Sequence, residues 1–239
     1  MKIDFHAHIL PRADHGCTCS AMAEAQLRLM QRAGTDAVVA TSHFYPNEHS
    51  ISSFLACRQG SLDALLEKLP LADLPIVYQG AEVLVCAGIH KMEGLERLAI
   101  VGTNVILLEM PFGHWRPELY DAVLGVRARG LCPVLAHIDR YDLHNVQVLL
   151  EEGISAQVNA AAFGLFAKTA PYEALMREGR VVALGSDLHG SKAADYQRFV
   201  KMQKKLGSLA DAVFAATEQL LQNATPLFEK KERVDTLLT

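Results

Sequence analysis

A chain of 239 residues, 50% of them hydrophobic and 21% charged, can bury a large core and does not have the composition of a disordered protein. Its net charge of −4 argues against a broad nucleic-acid or membrane-binding surface, and no apolar run is long enough for a membrane span. The N-terminus lacks the basic, apolar and small-residue sections of a signal peptide. The five cysteines are an odd number, which fits reduced thiols better than a framework of disulfides. We therefore expect a cytoplasmic protein with reduced thiols.

Short apolar segments that are typical of buried parallel strands alternate along the chain with segments of helical periodicity. The first predicted strand contains Ile3 and Phe5, and the others span residues 37–43, 75–85, 105–112, 132–137, 155–163 and 181–189. The predicted helices span residues 20–33, 50–69, 117–129, 142–152, 171–178, 192–206 and 208–223.

Two residues are expected to cap the first helix, Ser20 at its start and Gly34 at its end. The polar tail, residues 229–239, is interpreted as either a short last helix or a frayed end. Alternation of strand and helix about seven times is typical of a (β/α) barrel or of a doubly wound sheet. Because the chain has no linker rich in Pro, Gly or Ser and no repeat, residues 1–239 are predicted to form one domain.

Side chains that bind metals occur near the end of almost every predicted strand. Asp4, His6 and His8 are two residues apart on the first strand, so they are expected to share one face. In a parallel barrel the C-terminal ends of the strands meet at one rim, where active sites are built. The candidate ligands at that rim are His6, His8, His15, His43, Glu82, Glu109, His137, Asp187 and His189.

Each of these residues also has a purely structural interpretation, such as a hydrogen-bonded core histidine or a helix cap. A carboxylate like Glu109 inside an apolar strand is harder to explain in that way, because a buried charge must be paired or bound to metal.

Nine ligands are too many for one tetrahedral zinc, and they fit two or three ions that share carboxylates. Nitrogen and oxygen ligands without thiolate favour Zn, Mn or Fe. The pair Cys17 and Cys19 is a weaker candidate for metal binding.

Six motifs in this order, DFHAHILPRADHG, TSH, GAEV, LLEM, AHIDRY and GSDLH, resemble the polymerase-and-histidinol-phosphatase (PHP) superfamily. They are most similar to the bacterial PHP-type tyrosine phosphatases of capsule and exopolysaccharide operons. The resemblance implies a distorted, TIM-like seven-stranded (β/α) barrel, a trinuclear metal site and hydrolysis of phosphate monoesters. It further implies that Arg140 receives the phosphate and that the substrate is a phosphotyrosine protein, such as the tail of a bacterial tyrosine kinase.

The chain departs from the pattern of these phosphatases at two places. They usually carry Asp-Asp-Gly where this chain has Asp14-His15-Gly16, so that an imidazole replaces the expected carboxylate and the metal preference is expected to move towards zinc. They often have a further Arg after the SDLH motif, where Lys192 is the nearby cation in this chain.

The chemistry of the residues agrees with this resemblance. Metal ions lower the pKa of bound water to about 7, so a hydroxide could attack phosphorus while Arg140 neutralises charge on the phosphate oxygens. His137 and His189 are candidates to protonate the leaving group. The chemistry of a cysteine-dependent phosphatase needs a thiolate followed, six residues later, by an Arg that binds the phosphate. None of the five cysteines is followed by Arg at this spacing, so this mechanism is excluded.

Three alternatives stay open from the sequence. They are a small-molecule phosphatase of the histidinol-phosphate type, an amidohydrolase and a non-catalytic metal-binding regulator. Amidohydrolases commonly bridge their metals with a modified lysine on a central strand, and no predicted core strand of this chain carries a lysine.

Overall fold

The computed structural model describes residues 1–68, 74–164 and 166–227, and the predicted tail, residues 229–239, lies outside them. The strands are β1 (Ile3–Ala7), β2 (Ala37–Phe44), β3 (Ile76–Leu84), β4 (Val105–Glu109), β5 (Cys132–Leu135), β6 (Ser155–Asn159) and β7 (Val181–Gly185). The helices are α1 (Ser20–Arg32), α2 (Ile51–Leu66), α3 (Pro117–Ala128), α4 (Leu143–Glu151), α5 (Ala170–Arg177), α6 (Ala193–Leu206) and α7 (Ser208–Leu220). None of the helices in the described ranges is both long and apolar enough to cross a membrane.

All strands run parallel and lie in chain order from β1 to β7 in one sheet. The segment after β7 returns to the end of β1, where His8 N donates to Leu188 O at 3.0 Å and Asp187 N donates to His6 O at 2.7 Å. These bonds bring the two edges of the sheet together into a nearly closed barrel. The predicted distorted seven-stranded (β/α) barrel is therefore confirmed, and the doubly wound alternative is wrong. The assignment of residues 1–239 to one domain stays a prediction.

The strands are apolar on both faces because each face is covered. Side chains such as Phe5, Val39 and Leu107 fill the barrel interior. Side chains on the opposite faces pack against the helices, where Leu27 and Met30 of α1 are fully buried. Burial on both faces explains why the strands appear in the sequence as continuous apolar runs rather than as alternating patterns.

A bulge in β1 changes which side chains share a face. Between Asp4 and Ala7 the strand advances three residues while its partner β2 advances two, from Val38 to Ala40. Such an extra residue reverses the alternation of side chains beyond it. Asp4 is paired with Val38, whose side chain packs in the helix-side cluster, so the prediction that Asp4 shares a face with the two histidines is wrong.

The element boundaries agree closely with the sequence, except at the caps of α1 and at the ends of the last four strands. The strands β4, β5 and β7 end at Glu109, Leu135 and Gly185 rather than at residues 112, 137 and 189. The N-cap of α1 is Cys19 rather than Ser20, whose hydroxyl instead donates to Ala64 O at 3.0 Å. Gly34 follows the C-cap residue with a φ of 73°, a left-handed conformation that glycine adopts without a steric penalty. The predicted sixth strand ends at Asn159, and Ala160–Phe163 forms a short 3-10 helix.

Candidate metal centre

Eight of the nine predicted ligands come together at the C-terminal rim of the barrel. Their ligand atoms form four overlapping groups of three, and within each group all atoms lie within 4.8 Å of one another. The groups are His8, His43 and His189; His6, His8 and Asp187; His6, Glu82 and His137; and His43, Glu82 and Glu109. The overlap means that several ions could share ligands. Neither Cys17 nor Cys19 belongs to such a group among the described residues.

Glu82 occupies the centre of this cluster. Steps of two residues along β3 from Tyr78, whose side chain packs inside the barrel, place the Glu82 carboxylate on the same face. Its Oε2 lies 3.1 Å from His6 Nε2, 3.2 Å from His8 Nε2 and 3.0 Å from His43 Nδ1. Its Oε1 lies 2.7 Å from His137 Nε2. One carboxylate that faces four imidazoles could be shared between two ions, so bridging by Glu82 stays a prediction.

The hydrogen bonds of His6 and His8 test whether a cation fits between them. His6 Nδ1 lies 3.3 Å from Gln157 Oε1, and His8 Nδ1 lies 2.7 Å from Asp14 Oδ2. Since both partners are acceptors, each Nδ1 carries a proton, and each Nε2 is the nitrogen left to face the cluster. The two Nε2 atoms are only 3.1 Å apart, and Glu82 Oε2 lies within 3.2 Å of both. Two ring nitrogens and a carboxylate oxygen that converge in this way need positive charge between them, which a proton or a metal ion can supply, so the arrangement fits a bound metal.

Charge in the cluster also favours a cation. Burial disfavours ionisation of Glu82, but the neighbouring histidines outweigh burial and hold the pKa of Glu82 well below its ordinary value. Burial likewise opposes protonation of His6, yet Glu82 and Asp187 raise its pKa. Burial and the Glu82 charge raise the pKa of Glu109. The carboxylates thus stabilise positive charge among them, which a divalent ion would supply.

Backbone conformation and close packing hold several of these side chains in place. His137 and Asp187 have positive φ values of 31° and 52°, a conformation that non-glycine residues rarely adopt outside functional sites. A Cβ at Gly185 would lie 2.6 Å from the Cβ of His6, and one at Gly16 would lie 2.1 Å from the Cβ of His8. The glycines therefore allow the backbone to approach the two histidines closely.

Three residues that the sequence did not assign to the site orient the ligands. Asp14 accepts from His8 Nδ1, from His43 N at 3.0 Å and from Gly16 N at 2.8 Å. Gln157 Oε1 also accepts from His137 N at 2.7 Å. The hydroxyl of Tyr141 lies 3.1 Å from His137 Nδ1.

Asp14 and Tyr141 gave a signal in the sequence, because they lie in the motifs DFHAHILPRADHG and AHIDRY. Gln157 lies in no motif, and glutamine occurs equally in structural positions.

The remaining predicted residues lie at the edge of the cluster. His15 is exposed and belongs to none of the four groups, but its ring lies 4.8 Å from that of His43 and 4.9 Å from that of His189. Its role as a ligand stays a prediction. Burial and the neighbouring His8 lower the pKa of His189 to about 4.

Arg140 is 40% exposed, and its Nη2 pairs with Asp187 rather than with Asp139 or Asp142. The guanidinium therefore lies directly beside the predicted ligands and is open to solvent on one side.

The chain matches the family of capsular polysaccharide synthesis proteins CpsB/CapC over residues 2–224. It belongs to this family. The family resemblance inferred from the motifs is thereby confirmed. The tyrosine-protein phosphatase YwqE of Bacillus subtilis is 27% identical over 93% of this chain and 92% of the relative. The tyrosine-protein phosphatase CpsB of Streptococcus pneumoniae is 29% identical over 66% of this chain and 67% of the relative.

Solved structures agree with this assignment. A structure from a study of YwqE from Bacillus subtilis and CpsB from Streptococcus pneumoniae, described as unique metal-dependent tyrosine phosphatases, aligns with a TM-score of 0.76 and 26% identity over 93% of this chain and 95% of that chain. The β-aspartyl dipeptidase of Fervidobacterium islandicum AW-1 aligns with a TM-score of 0.52 over 94% of this chain and 72% of that chain. At 14% identity, the second likeness concerns the fold alone.

Proposed function

We propose that this protein is a metal-dependent phosphatase that removes phosphate from tyrosine side chains of proteins. The observation that carries the proposal is the convergence of eight metal-binding side chains at one rim, with a solvent-exposed arginine beside them. The names of the relatives in the same family, which are tyrosine-protein phosphatases, support it.

The metal content is part of this proposal. We propose two or three Zn, Mn or Fe ions, held by the eight clustered side chains with His15 as a ninth ligand. When bound, such ions supply an activated water near neutral pH and neutralise charge on phosphate oxygens. The buried Glu82 supports metal binding, because its Oε2 lies within 3.2 Å of three imidazole nitrogens. The facing Nε2 atoms of His6 and His8, 3.1 Å apart, support it in the same way.

Arg140 is proposed to bind the substrate phosphate. Its planar guanidinium can donate two parallel hydrogen bonds to phosphate oxygens, a contact that a single point charge cannot reproduce. The ion pair with Asp187 holds this group at the edge of the ligand cluster. A phosphate bound to Arg140 would then lie against the cluster rather than out in solvent.

His137 and His189 are proposed as ligands in preference to proton donors. His137 is fully buried, and both of its ring nitrogens already face protein groups, Glu82 at Nε2 and the Tyr141 hydroxyl at Nδ1. Burial and the neighbouring His8 lower the pKa of His189 to about 4, which favours a neutral imidazole that can serve as a ligand. A tyrosyl phenolate, whose pKa is about 10, depends less on a general acid than an alkoxide does.

The substrate is proposed to be an exposed phosphotyrosine segment, for which the tail of a bacterial tyrosine kinase remains the prediction. A cytoplasmic location is part of the proposal and is supported by the five free cysteines. Histidinol phosphate is the less favoured substrate. An amidohydrolase activity is disfavoured because the strands of the barrel carry no lysine that could bridge two metals.

The test combines elemental analysis of the purified protein with hydrolysis assays on a phosphotyrosine peptide, the matching phosphoserine peptide, histidinol phosphate and a β-aspartyl dipeptide. We expect two or three transition-metal ions per chain and a clear preference for phosphotyrosine. Chelation should abolish this activity, and added Mn or Zn should restore it. Full activity of metal-free protein would refute the metal role, whereas a preference for histidinol phosphate would refute only the substrate.

A further inference from the structure

Phe112 is a large apolar side chain that stands in solvent beside the metal centre. Its side chain is 70% exposed, and Phe166 is the other aromatic residue among the strongly exposed apolar side chains of the described ranges. Phe112 lies three positions beyond Glu109, the last residue of β4 and a member of the ligand cluster. An exposed ring at this place has no role in the core.

The local structure holds this ring outward. The indole N–H of Trp115 donates to Pro111 O at 3.0 Å, which closes the turn that contains Phe112. Gly113 has a φ of 94°, which a residue with a side chain would adopt only with strain. Trp115 itself is buried, with its ring 5.2 Å from that of Tyr141. The buried Trp115 therefore stabilises the turn and leaves Phe112 exposed at the rim.

A series of aromatic contacts connects Phe112 to the ligands. The ring of Phe112 lies 6.3 Å from that of Tyr141, and Tyr141 lies 5.6 Å from the imidazole of His137. Tyr141 also follows Arg140, the proposed phosphate-binding residue. Tyr141 therefore connects the exposed ring of Phe112 to His137, one of the predicted ligands, and is adjacent in sequence to Arg140.

We propose that Phe112 contacts the aromatic ring of the substrate and makes the enzyme prefer aryl over alkyl phosphate monoesters. This inference rests on the proposed phosphatase function. In an aryl phosphate the ring is attached directly to the ester oxygen, so phosphate bound at Arg140 places that ring at the rim. Paired aromatic rings attract each other at centroid distances of 4.5–7 Å, whereas a serine side chain offers no ring. Tyr45 is a poorer partner, because it is half-buried and stacked on His43, whereas Phe112 is 70% exposed.

The test compares kcat/KM for a phosphotyrosine peptide and for the same peptide with phosphoserine. Phe112→Ala should lower the value for phosphotyrosine by about five- to tenfold, mainly through KM, and change that for phosphoserine by less than about twofold. Phe112→Tyr should retain the parental preference, since it keeps the ring. Phe166→Ala removes the other exposed phenylalanine, 95% exposed, and serves as the matched control that should leave both values unchanged. Metal content is measured for every variant.

Three results would overturn the role of Phe112. They are an equal loss on both peptides, an unchanged value for phosphotyrosine, or an equal loss in Phe166→Ala. A parent enzyme that hydrolyses both peptides equally well would also overturn it, while leaving the phosphatase function intact. A parent enzyme that hydrolyses neither peptide would instead refute the proposed function on which the inference rests.

Discussion

Asp14 should control metal affinity although it is not among the predicted ligands. One of its oxygens accepts from His8 Nδ1 at 2.7 Å and from His43 N at 3.0 Å, and the other accepts from Gly16 N at 2.8 Å. Burial opposes ionisation, but the hydrogen bond and positive charge of His8 outweigh it and hold the pKa of Asp14 well below its usual range. Because a carboxylate can only accept, Asp14 keeps a proton on His8 Nδ1, so that a metal replaces the other ring proton and binds at Nε2.

The substitution Asp14→Asn keeps the shape and replaces one oxygen with an NH2 group. If the remaining oxygen faces His8, the NH2 group faces the N–H of Gly16, and two donors oppose each other. If the NH2 group faces His8, it requires a lone pair at Nδ1 and moves the proton to Nε2, where the metal would bind. Loss of such an orienting partner typically weakens metal binding by about 10- to 100-fold, or about 1.4–2.7 kcal/mol.

We would measure this affinity by competition with a chelator-buffered series of Zn or Mn concentrations, and follow activity in the same series. Asp14→Asn should need about 10- to 100-fold more free metal for half-maximal activity. Asp142→Asn is the matched control, because Asp142 caps α4 at an exposed position and Asn caps helices equally well. An Asp14→Asn protein with parental metal affinity would show that Asp14 only braces the loop, and the tautomer argument would then be wrong.

Substitutions at three further residues test the individual roles at the site. Arg140→Ala should lower kcat/KM for phosphotyrosine roughly a hundredfold with metal content unchanged, since a charged bidentate contact contributes about 2–3 kcal/mol, and Arg140→Lys should recover only part of this loss. Parental activity of Arg140→Ala would exclude a phosphate-binding role. Glu82→Gln should lose at least one metal by elemental analysis and nearly all turnover, with an unchanged circular dichroism spectrum, because its carboxylate faces four imidazoles. Retention of every metal would contradict bridging. His15→Asp should remain active but shift metal preference away from zinc, and an unchanged preference would show that His15 is not a ligand.

The sequence by itself determined the alternation of strands and helices and most of the residues that cluster at the rim, whereas the choice of a barrel over a doubly wound sheet came from the family resemblance. Apolar runs alternating with helical periodicity are a local property, and parallel strands in such an order place their C-terminal ends at one rim. A histidine or carboxylate near the end of almost every strand, such as His43 in β2 or Glu82 in β3, could therefore be assigned to a common site without coordinates. The order of the motifs also indicated the family.

Only the tertiary structure decided how the side chains at that rim are oriented. The bulge in β1 depends on pairing with β2, so a two-residue period along one strand could not show that Asp4 turns away. Gln157 contacts His6 across 151 positions of the chain, and Arg140 reaches Asp187 across 47. Contacts of this kind arise because barrel closure brings β1 beside β7. A local pattern in the sequence cannot predict that these two strands lie close together.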